Sequence, residues 1–249
     1  MFTHLDLFSG IGGFALAAMN VWGDKYKNVG FCEIDKFCQK VLKKNFGSNI
    51  KIFDNIIDIT GEEFGTIDLI TGGFPCQPFS QAGRRKGRED ERALFPEMVR
   101  VIRKTKPKWV LAENVSGILN IHNGEYFEEI CTQLEGEGYT VQSFIIPATA
   151  VNAPHKRERV WIIAYTERNG LEELPEQWGE IKRILQKASN TFTTHSTIKR
   201  INRCGNRDIN RGDYGLSSGL DRNNRLRALG NAIVPQVAEA IMQVIKETT

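Results

Sequence analysis

Two short segments carry the residue types with the clearest chemical potential, GGFPCQPFS at 72–80 and the ENV segment that begins at Glu113. Cys76 stands between Pro75 and Pro78, so that its thiol lies on a stiff turn that displays a side chain rather than packing it. A carboxylate near a thiol, without an obvious histidine base, suits a reaction in which the acid protonates a substrate while sulfur attacks it. The structural alternatives are a proline-rich loop with an incidental cysteine and an ordinary strand end.

Two further segments have residues that can hold a bound molecule. The glycines of DLFSGIGGF (6–14) allow a tight turn and a close approach of the backbone to a ligand. Glu33 follows at the end of the second predicted strand, where nucleotide-binding α/β folds hold a ribose hydroxyl. In HKRERVW, Arg157 and Arg159 occupy alternate positions at the start of a strand, and two guanidinium groups there can bind a phosphate or a carbonyl oxygen.

These segments are positioned by alternating β-rich and amphipathic runs. The predicted strands are 4–8, 29–34, a weak one at 50–53, 67–72, 109–114, 141–146 and 160–165. The predicted helices, with apolar residues three and four positions apart, are 12–22, 35–46, 93–105, 124–138 and 235–247. Both glycine turn and thiol would then lie at the carboxyl ends of strands. The alternation predicts a doubly wound α/β domain with a parallel sheet covered on both faces.

The composition, with 41% hydrophobic and 25% charged residues, is typical of a soluble globular protein. The apolar runs are too short to span a membrane, and the N-terminus lacks the pattern of a signal peptide, so we expect a cytoplasmic protein. The five cysteines are odd in number and form no CxxC pair, and the four histidines lack metal-ligand spacing. The sequence therefore predicts neither a disulfide framework nor a metal site.

Charge is distributed unevenly along the chain. Residues 1–150 carry 17 basic and 19 acidic groups, whereas residues 151–249 carry 16 and 11. The asymmetry is sharpest in 181–227, with 11 basic and 3 acidic residues, within a polar stretch where the alternation of strands and helices stops. A localised basic segment on a neutral body suits a polyanionic partner, although a solvated surface stretch has the same composition.

Taken in order, DLFSGIGGF, CEID, DIT, GGFPCQPFS, ENV, RER and ALGNAIVPQ resemble the motif series of the C5-cytosine DNA methyltransferases. The resemblance implies a Rossmann-like, S-adenosylmethionine-dependent methyltransferase sheet with a small, irregular target-recognition lobe. It implies three regions: a catalytic and cofactor-binding domain at 1–165, a short basic target-recognition region at 166–228, and a C-terminal segment at 229–249 that returns to the catalytic domain.

The resemblance also assigns residues to an S-adenosylmethionine site. Phe8 would stack on adenine, Glu33 would hold the ribose hydroxyls, and Asp58 would contact the adenine amino group. The full set of implied cofactor-binding residues is Phe8, Gly10, Gly12, Glu33, Asp58, Ile59, Leu94 and Asn231.

The same resemblance makes Cys76 the nucleophile of cytosine C5 methylation. Addition of its thiolate to C6 breaks the aromaticity of the ring, while Glu113 hydrogen-bonds N3 and the exocyclic amine. Arg157 and Arg159 would fix the O2 edge of the base, the adjacent phosphate or the loop that carries the nucleophile. Because C6 is unreachable inside a stacked duplex, the base must be flipped out, and the loop 83–92 is placed to close over it.

Two features depart from the family pattern. His155 stands where the family usually has glutamine. The interval between RER and GNAIVP is short and contains no match to the arginine-bearing RxLTPxE-like motif. The basic segment 181–227 would then read the target sequence alone or with the help of an unidentified partner.

The function that these features favour is methylation of double-stranded DNA by a monomer, in the cytoplasm of a prokaryotic cell or a phage-infected host. A tRNA cytosine methyltransferase is a second hypothesis, which the absence of a CFT motif after ENV disfavours. A non-catalytic cofactor- or DNA-binding relative is a third. A Rossmann dehydrogenase would explain the glycine turn and Glu33 but not PCQ and ENV.

Overall fold

Seven strands form one sheet in the computed structural model, which describes residues 1–75, 94–166 and 222–248. The strands are β1 (Phe2–Leu7), β2 (Tyr26–Cys32), β3 (Ile52–Phe53), β4 (Leu69–Gly72), β5 (Trp109–Val115), β6 (Thr140–Pro147) and β7 (Glu158–Tyr165). Their order in the sheet is β3-β2-β1-β4-β5-β7-β6. The chain moves outward from β1 in one direction and then in the other. The boundary between β1 and β4 is therefore the switch point at which such sheets bind ligands.

Strands β1 to β5 run parallel to one another, whereas β7 lies between β5 and β6 and is antiparallel to both. The doubly wound α/β prediction is confirmed, but the sheet is mixed rather than wholly parallel. Residues 148–157, which join β6 to β7, contain a single 3₁₀ turn, Ala148–Val151. A parallel crossover needs a dozen or more residues and usually a helix, so this short connection reverses the chain.

Six α-helices cover the described parts of the sheet: α1 (Gly13–Trp22), α2 (Lys36–Phe46), α3 (Leu94–Thr105), α4 (Glu125–Gly136), α5 (Arg222–Asn231) and α6 (Pro235–Glu247). The predicted helices match α1 to α4 and α6 closely. Helix α5 was not predicted, because its sequence is polar around most of its circumference. Of its residues whose side chains are described, only Ala228 is buried.

The two faces of the sheet carry separate apolar layers. Helices α3 and α4 pack on one face, where Met98 of α3 is fully buried together with Ile70 of β4. Helices α1 and α6 pack on the other face, where the Phe14 ring lies edge-on to the fully buried Trp161. Burial of these apolar side chains is the main force that holds the strand ends in place.

One stretch of the described residues, Arg227–Glu247, has the length and composition of a membrane-spanning helix. In the structure this stretch is divided between α5 and α6, and its apolar part lies in the core. Val237, Ile241 and Ile245 of α6 are buried against α1 and the sheet. The apolar composition of this stretch is thus explained by the packing of α6 against α1 and the sheet.

A chain of buried polar side chains crosses the middle of the sheet. His4 Nδ1 lies 2.8 Å from the Tyr26 hydroxyl, and its Nε2 lies 2.7 Å from Thr71 Oγ1. The Thr71 hydroxyl in turn donates to Asp6 Oδ1 at 2.8 Å. Because that hydroxyl hydrogen is used by Asp6, His4 Nε2 carries the proton and Nδ1 accepts from the tyrosine. Burial lowers the pKa of His4 to about 3, so the ring is neutral at physiological pH.

The strand directions bring several predicted site residues to one edge of the sheet. Phe8 follows β1, Glu33 follows β2, and Gly73 follows β4 at the carboxyl edge of these parallel strands. Because β7 runs the opposite way, it begins at this same edge, where Arg159 pairs with Val115 of β5. Residues far apart in the sequence therefore surround one space.

Candidate active site

A cavity of about 500 Å³ opens at the carboxyl edge of the sheet. Its lining includes eight residues to which the sequence assigned a role: Phe8, Gly10, Glu33, Leu94, Glu113, Arg157, Arg159 and Asn231. Gly12, Asp58 and Ile59 do not line it. Cys76 lies outside the described residues, but Pro75, the residue before it, lines the cavity. A volume of this size is within the range of sites that hold a small organic ligand.

The turn after β1 presents backbone to the cavity. Phe8 has φ +52°, a left-handed conformation that is uncommon for a residue with a side chain. Gly10 has φ +54°, and its N–H donates to Glu33 Oε2 at 2.6 Å. A Cβ built on Gly10 would meet no atom within 4 Å, so the space in front of this residue is open. The turn thus offers room for a ligand next to a fixed carboxylate.

Gly12 serves a different purpose from Gly10. Its φ is +87°, and a Cβ there would stand 2.4 Å from Phe46 Cε2 and 2.9 Å from Leu42 Cδ2 of helix α2. Glycine at this position therefore allows α1 and α2 to approach each other. The cofactor contact that the resemblance implies for Gly12 stays a prediction.

Glu33 is held by the main chain on both of its oxygens. Besides the bond from Gly10, the Asp35 N–H donates to Glu33 Oε1 at 2.7 Å. Burial raises the pKa of Glu33, and the two backbone hydrogen bonds act against that rise. Each oxygen keeps further acceptor capacity, so the carboxylate can receive hydroxyl donors from a ligand in the cavity.

The cavity reaches the end of β3 at a position that the sequence did not single out. Strand β3 ends at Phe53, so Asp54 and Asn55 are the first residues beyond its carboxyl end, and both line the cavity. Asp54 accepts hydrogen bonds from Lys36 Nζ at 2.5 Å and from the side chain of Gln39.

The DIT segment lies further along the same connection. Ile59 is fully buried in the core, and Asp58 is exposed and outside the cavity lining. The weak predicted strand at 50–53 was the signal that could have pointed to residue 54.

Glu113, another acidic residue of the cavity lining, is only 7% exposed and faces the start of β7. Arg159 Nε lies 3.0 Å from Glu113 Oε1. Burial raises the pKa of Glu113, whereas the charges of Arg159 and Arg157 act in the opposite direction. The carboxyl group is thus placed in a setting that favours its protonated form more than water does, next to a cation that can stabilise the ionised form.

The segment that leads to Cys76 passes directly beside Glu113. A Cβ built on Gly73 would lie 3.6 Å from Glu113 Oε2, at ordinary contact distance, so this segment lies next to the carboxyl group. Asn114 Nδ2 donates to the carbonyl of Phe74 at 2.9 Å, and this bond ties the end of β5 to the chain two residues before the cysteine. The sequence missed this contact, although Asn114 belongs to the ENV motif that it did recognise.

The C-terminal part of the chain supplies one wall of the cavity. Arg227, Ala228, Gly230 and Asn231, all in α5, belong to the lining. The sequence assigned a role only to Asn231 among them, although Ala228 and Gly230 belong to the same ALGNAIVPQ motif.

Arg157 is bound to this wall rather than to Glu113. Its Nη1 donates to the carbonyl of Gly230 at 2.8 Å and its Nη2 to the carbonyl of Ala232 at 2.7 Å.

The fold and the site together define a class of protein. A doubly wound sheet, a ligand-sized cavity at its switch point, an acid after β2 and an ion pair between Glu113 of β5 and Arg159 of β7 are features of a Rossmann-like enzyme that uses a nucleotide-containing cofactor.

A family model described as C-5 cytosine-specific DNA methylase matches residues 2–217, and the chain belongs to this family.

Individual relatives agree with the family match. The chain is 37% identical over 166 residues to the type II methyltransferase M.DsaV of Dactylococcopsis salina, covering 66% of this chain and 46% of that protein. It is 35% identical over 206 residues to the type II methyltransferase M.HaeII of Haemophilus aegyptius, covering 80% of this chain and 63% of that protein. The chain thus spans about half the length of these relatives.

A solved structure has a similar fold. The S. pombe Dnmt2 methyltransferase superposes with a TM-score of 0.67 at 20% sequence identity, covering 99% of each chain. At this level of identity the likeness concerns the fold alone.

Proposed function

We propose that the protein transfers a methyl group from S-adenosylmethionine to C5 of a flipped-out cytosine in double-stranded DNA, through a covalent bond between Cys76 and C6 of the base. One observation carries the proposal. A single cavity contains both the Glu33 carboxylate beside the glycine turn and the Glu113–Arg159 pair, and the segment that leads to Cys76 lines it at Pro75.

The residues at the β1–β2 end of the cavity fit an adenosine-containing cofactor. Glu33 has acceptor capacity for the ribose hydroxyls, Gly10 leaves open space beside it, and Phe8 offers an aromatic ring. Leu94 and Asn231 line the cavity as well, and we assign them to the same ligand. When bound there, S-adenosylmethionine supplies an electrophilic methyl group.

The chemistry on the base requires Glu113 and Cys76 to act together. The Cys76 thiolate forms a bond to C6, and Glu113 donates its proton to N3, so that negative charge does not build up in the ring. C5 becomes enamine-like and would accept the methyl group, as the bond between that methyl group and the sulfonium sulfur breaks and leaves S-adenosylhomocysteine. A base then removes the C5 proton, the C6–S bond breaks, and N3 returns its proton to Glu113. The raised pKa of Glu113 supports this role, because a carboxyl group must be protonated in order to donate.

Arg159 is placed to stabilise both states of Glu113. Its guanidinium offsets the negative charge when the carboxyl group has lost its proton, and its remaining N–H groups can reach the O2 edge of a base in the cavity. The sulfur must attack as a thiolate, and a nearby arginine of the cavity lining, such as Arg159, would favour that anion.

Double-stranded DNA is the proposed partner, bound by a monomer in the cytoplasm of a prokaryotic cell or a phage-infected host. The relatives named type II methyltransferases come from bacteria, and another, the orphan methyltransferase M.SPRI, comes from a Bacillus phage. The basic segment 181–227 is the proposed reader of the target sequence, with or without a partner protein; most of it lies outside the described residues. The loop 83–92, also outside them, is the proposed cover over the flipped base.

The test is transfer of a labelled methyl group from S-adenosylmethionine to mixed-sequence duplex DNA, with tRNA in a parallel reaction. We expect label in DNA with the wild-type protein and none with Cys76→Ala. Cys131→Ala is the matched control, since this partly exposed thiol in α4 lies away from the cavity and its loss should leave transfer unchanged. Label in tRNA alone would favour the second hypothesis, and turnover by Cys76→Ala would exclude the covalent mechanism.

A further inference from the structure

The Arg157 guanidinium forms hydrogen bonds to the main chain on both sides of Asn231. Its two terminal nitrogens donate to the carbonyls of Gly230 and Ala232, at 2.8 and 2.7 Å. The two acceptors are the neighbours of Asn231 in the chain, so the planar fork of the arginine straddles this residue. Arginine is suited to this arrangement, because its two terminal nitrogens are held in one plane and are always charged.

The two carbonyls need a partner from outside α5. The last carbonyls of an α-helix receive no hydrogen bond from an N–H group of the same helix. Gly230 lies in the last turn of α5, which ends at Asn231. Helix α6 begins after a short connection, and its N-cap residue, Val234, offers no side-chain hydrogen bond. A cation at the C-terminal end of α5 is also favoured by the helix dipole. Arg157 thus caps α5 from another element of the fold.

The same wall is attached at a second point. Arg227, near the middle of α5, forms an ion pair with Asp35 across the cavity. Asp35 also caps α2, because its Oδ1 accepts the N–H of Phe37 at 2.8 Å. The segment 227–232 is therefore held at one end to the start of α2 and at the other end to the start of β7.

Arg157 and Arg159 have different contacts although they are two residues apart. Arg159 lies against Glu113, whereas the hydrogen bonds of Arg157 go to the C-terminal wall. The two arginines carry the same charge and approach the same cavity, so each is a control for the other.

We propose that Arg157 is a positioning residue that acts through Asn231: it fixes the turn between α5 and α6 against the cavity and thereby sets the affinity for the cofactor. Arg159, by contrast, pairs with the Glu113 carboxyl group, which in the proposed function faces the base. The ligand in this inference rests on the proposed function, whereas the contact between Arg157 and the turn does not. Removal of Arg157 frees the turn, and the cofactor must then order it on binding, at a cost in affinity.

Two measurements on the DNA-free protein test the inference. The first is hydrogen–deuterium exchange of the amides from 230 to 237 in the wild type, Arg157→Ala and Arg159→Ala. The second is the Kd for S-adenosylhomocysteine, measured by calorimetry on the same proteins. We expect faster exchange and a Kd at least about tenfold higher in Arg157→Ala, since the loss of a single hydrogen bond to a charged group has about this effect. Arg159→Ala should change neither quantity appreciably.

A conservative variant guards against a simple loss of folding. Arg157→Lys keeps the charge but has one nitrogen in place of two, so it should restore the fold and only part of the affinity. Unchanged exchange in Arg157→Ala, or an equal increase in Arg159→Ala, would overturn the positioning role. Faster exchange with an unchanged Kd would overturn the link to affinity. If the wild type fails to bind S-adenosylhomocysteine, the proposed function fails, and the exchange data still decide whether Arg157 holds the turn.

Discussion

Substitution of Gly12 by alanine should destabilise the fold through the contact between α1 and α2. Alanine at φ +87° costs about 1–2 kcal/mol for the left-handed backbone. Its Cβ would stand 2.4 Å from the Phe46 ring and 2.9 Å from the fully buried Leu42. Overpacking of this kind adds about 1–3 kcal/mol. We therefore expect the free energy of unfolding to fall by about 2–5 kcal/mol.

The matched control is Gly10→Ala, three residues after the same strand. Its φ of +54° carries a similar backbone cost, but a Cβ there would meet no atom within 4 Å. We expect this variant to lose about 1–2 kcal/mol of stability, for the backbone alone. Because Gly10 lines the cavity and its N–H holds Glu33, we expect it to lose affinity for S-adenosylhomocysteine as well.

Thermal unfolding and calorimetric binding separate the two effects. In a domain of this size each kcal/mol lowers the Tm by about 2–4 °C, so the two variants should be distinguishable by unfolding alone. If Gly12→Ala unfolds no more readily than Gly10→Ala, the contact with α2 is not what requires glycine at position 12. If instead Gly12→Ala weakens binding at full stability, the cofactor contact implied by the resemblance is the better account.

Three further predictions follow from the same geometry. Because the pKa of His4 is lowered, its contribution to stability is present above pH 6.5 and is lost as the pH falls toward 3. Between pH 7 and 5 the loss amounts to about 2 kcal/mol of unfolding free energy, and urea unfolding of His4→Gln at several pH values should no longer show this loss. Because burial raises the pKa of Glu113, this carboxyl group stays protonated to a higher pH than it would in water. Methyl transfer should therefore decline as the pH rises through this raised pKa. Glu113→Gln should slow single-turnover methyl transfer by a factor of about 10²–10⁴ and should remove the decline of the rate at high pH. An unchanged pH profile would argue against proton donation. Asp54→Ala should weaken binding of S-adenosylhomocysteine more than Asp58→Ala, since only Asp54 lines the cavity; the opposite order in calorimetry would restore the role that the resemblance gives to Asp58.

The sequence predicted the strands and most of the helices because their apolar spacing is strong. It did not predict the direction of β7, since a strand buried on both faces, such as VWIIAY, reads the same in either direction. It missed α5 for the opposite reason: that helix buries little and has no apolar stripe. Apolar periodicity predicts helices that bury one face, and it does not predict a helix such as α5, which is held mainly by polar contacts.

The positions of the site residues followed from the strand ends more than from the motif letters. DIT matches the family series, yet the cavity meets the chain at Asp54, directly after β3. The partners of Arg157 could not be predicted at all. They are main-chain carbonyls 73 and 75 residues away, and every residue has such a carbonyl. Only the fold selects Gly230 and Ala232 from among them.

Two of the acidic residues that line the cavity, Glu33 and Glu113, have different surroundings, which suit the different tasks that the proposed function gives them. Burial raises the pKa of both, but their partners differ. Glu33 is fixed by two backbone N–H groups, which can only donate, so it remains an acceptor for ligand hydroxyls. Glu113 Oε1 instead lies 3.0 Å from Arg159 Nε, so a charged side chain faces this carboxyl group. A carboxyl group with a raised pKa beside a cation can exchange a proton with an arriving base, which is the role that the proposed function gives to Glu113.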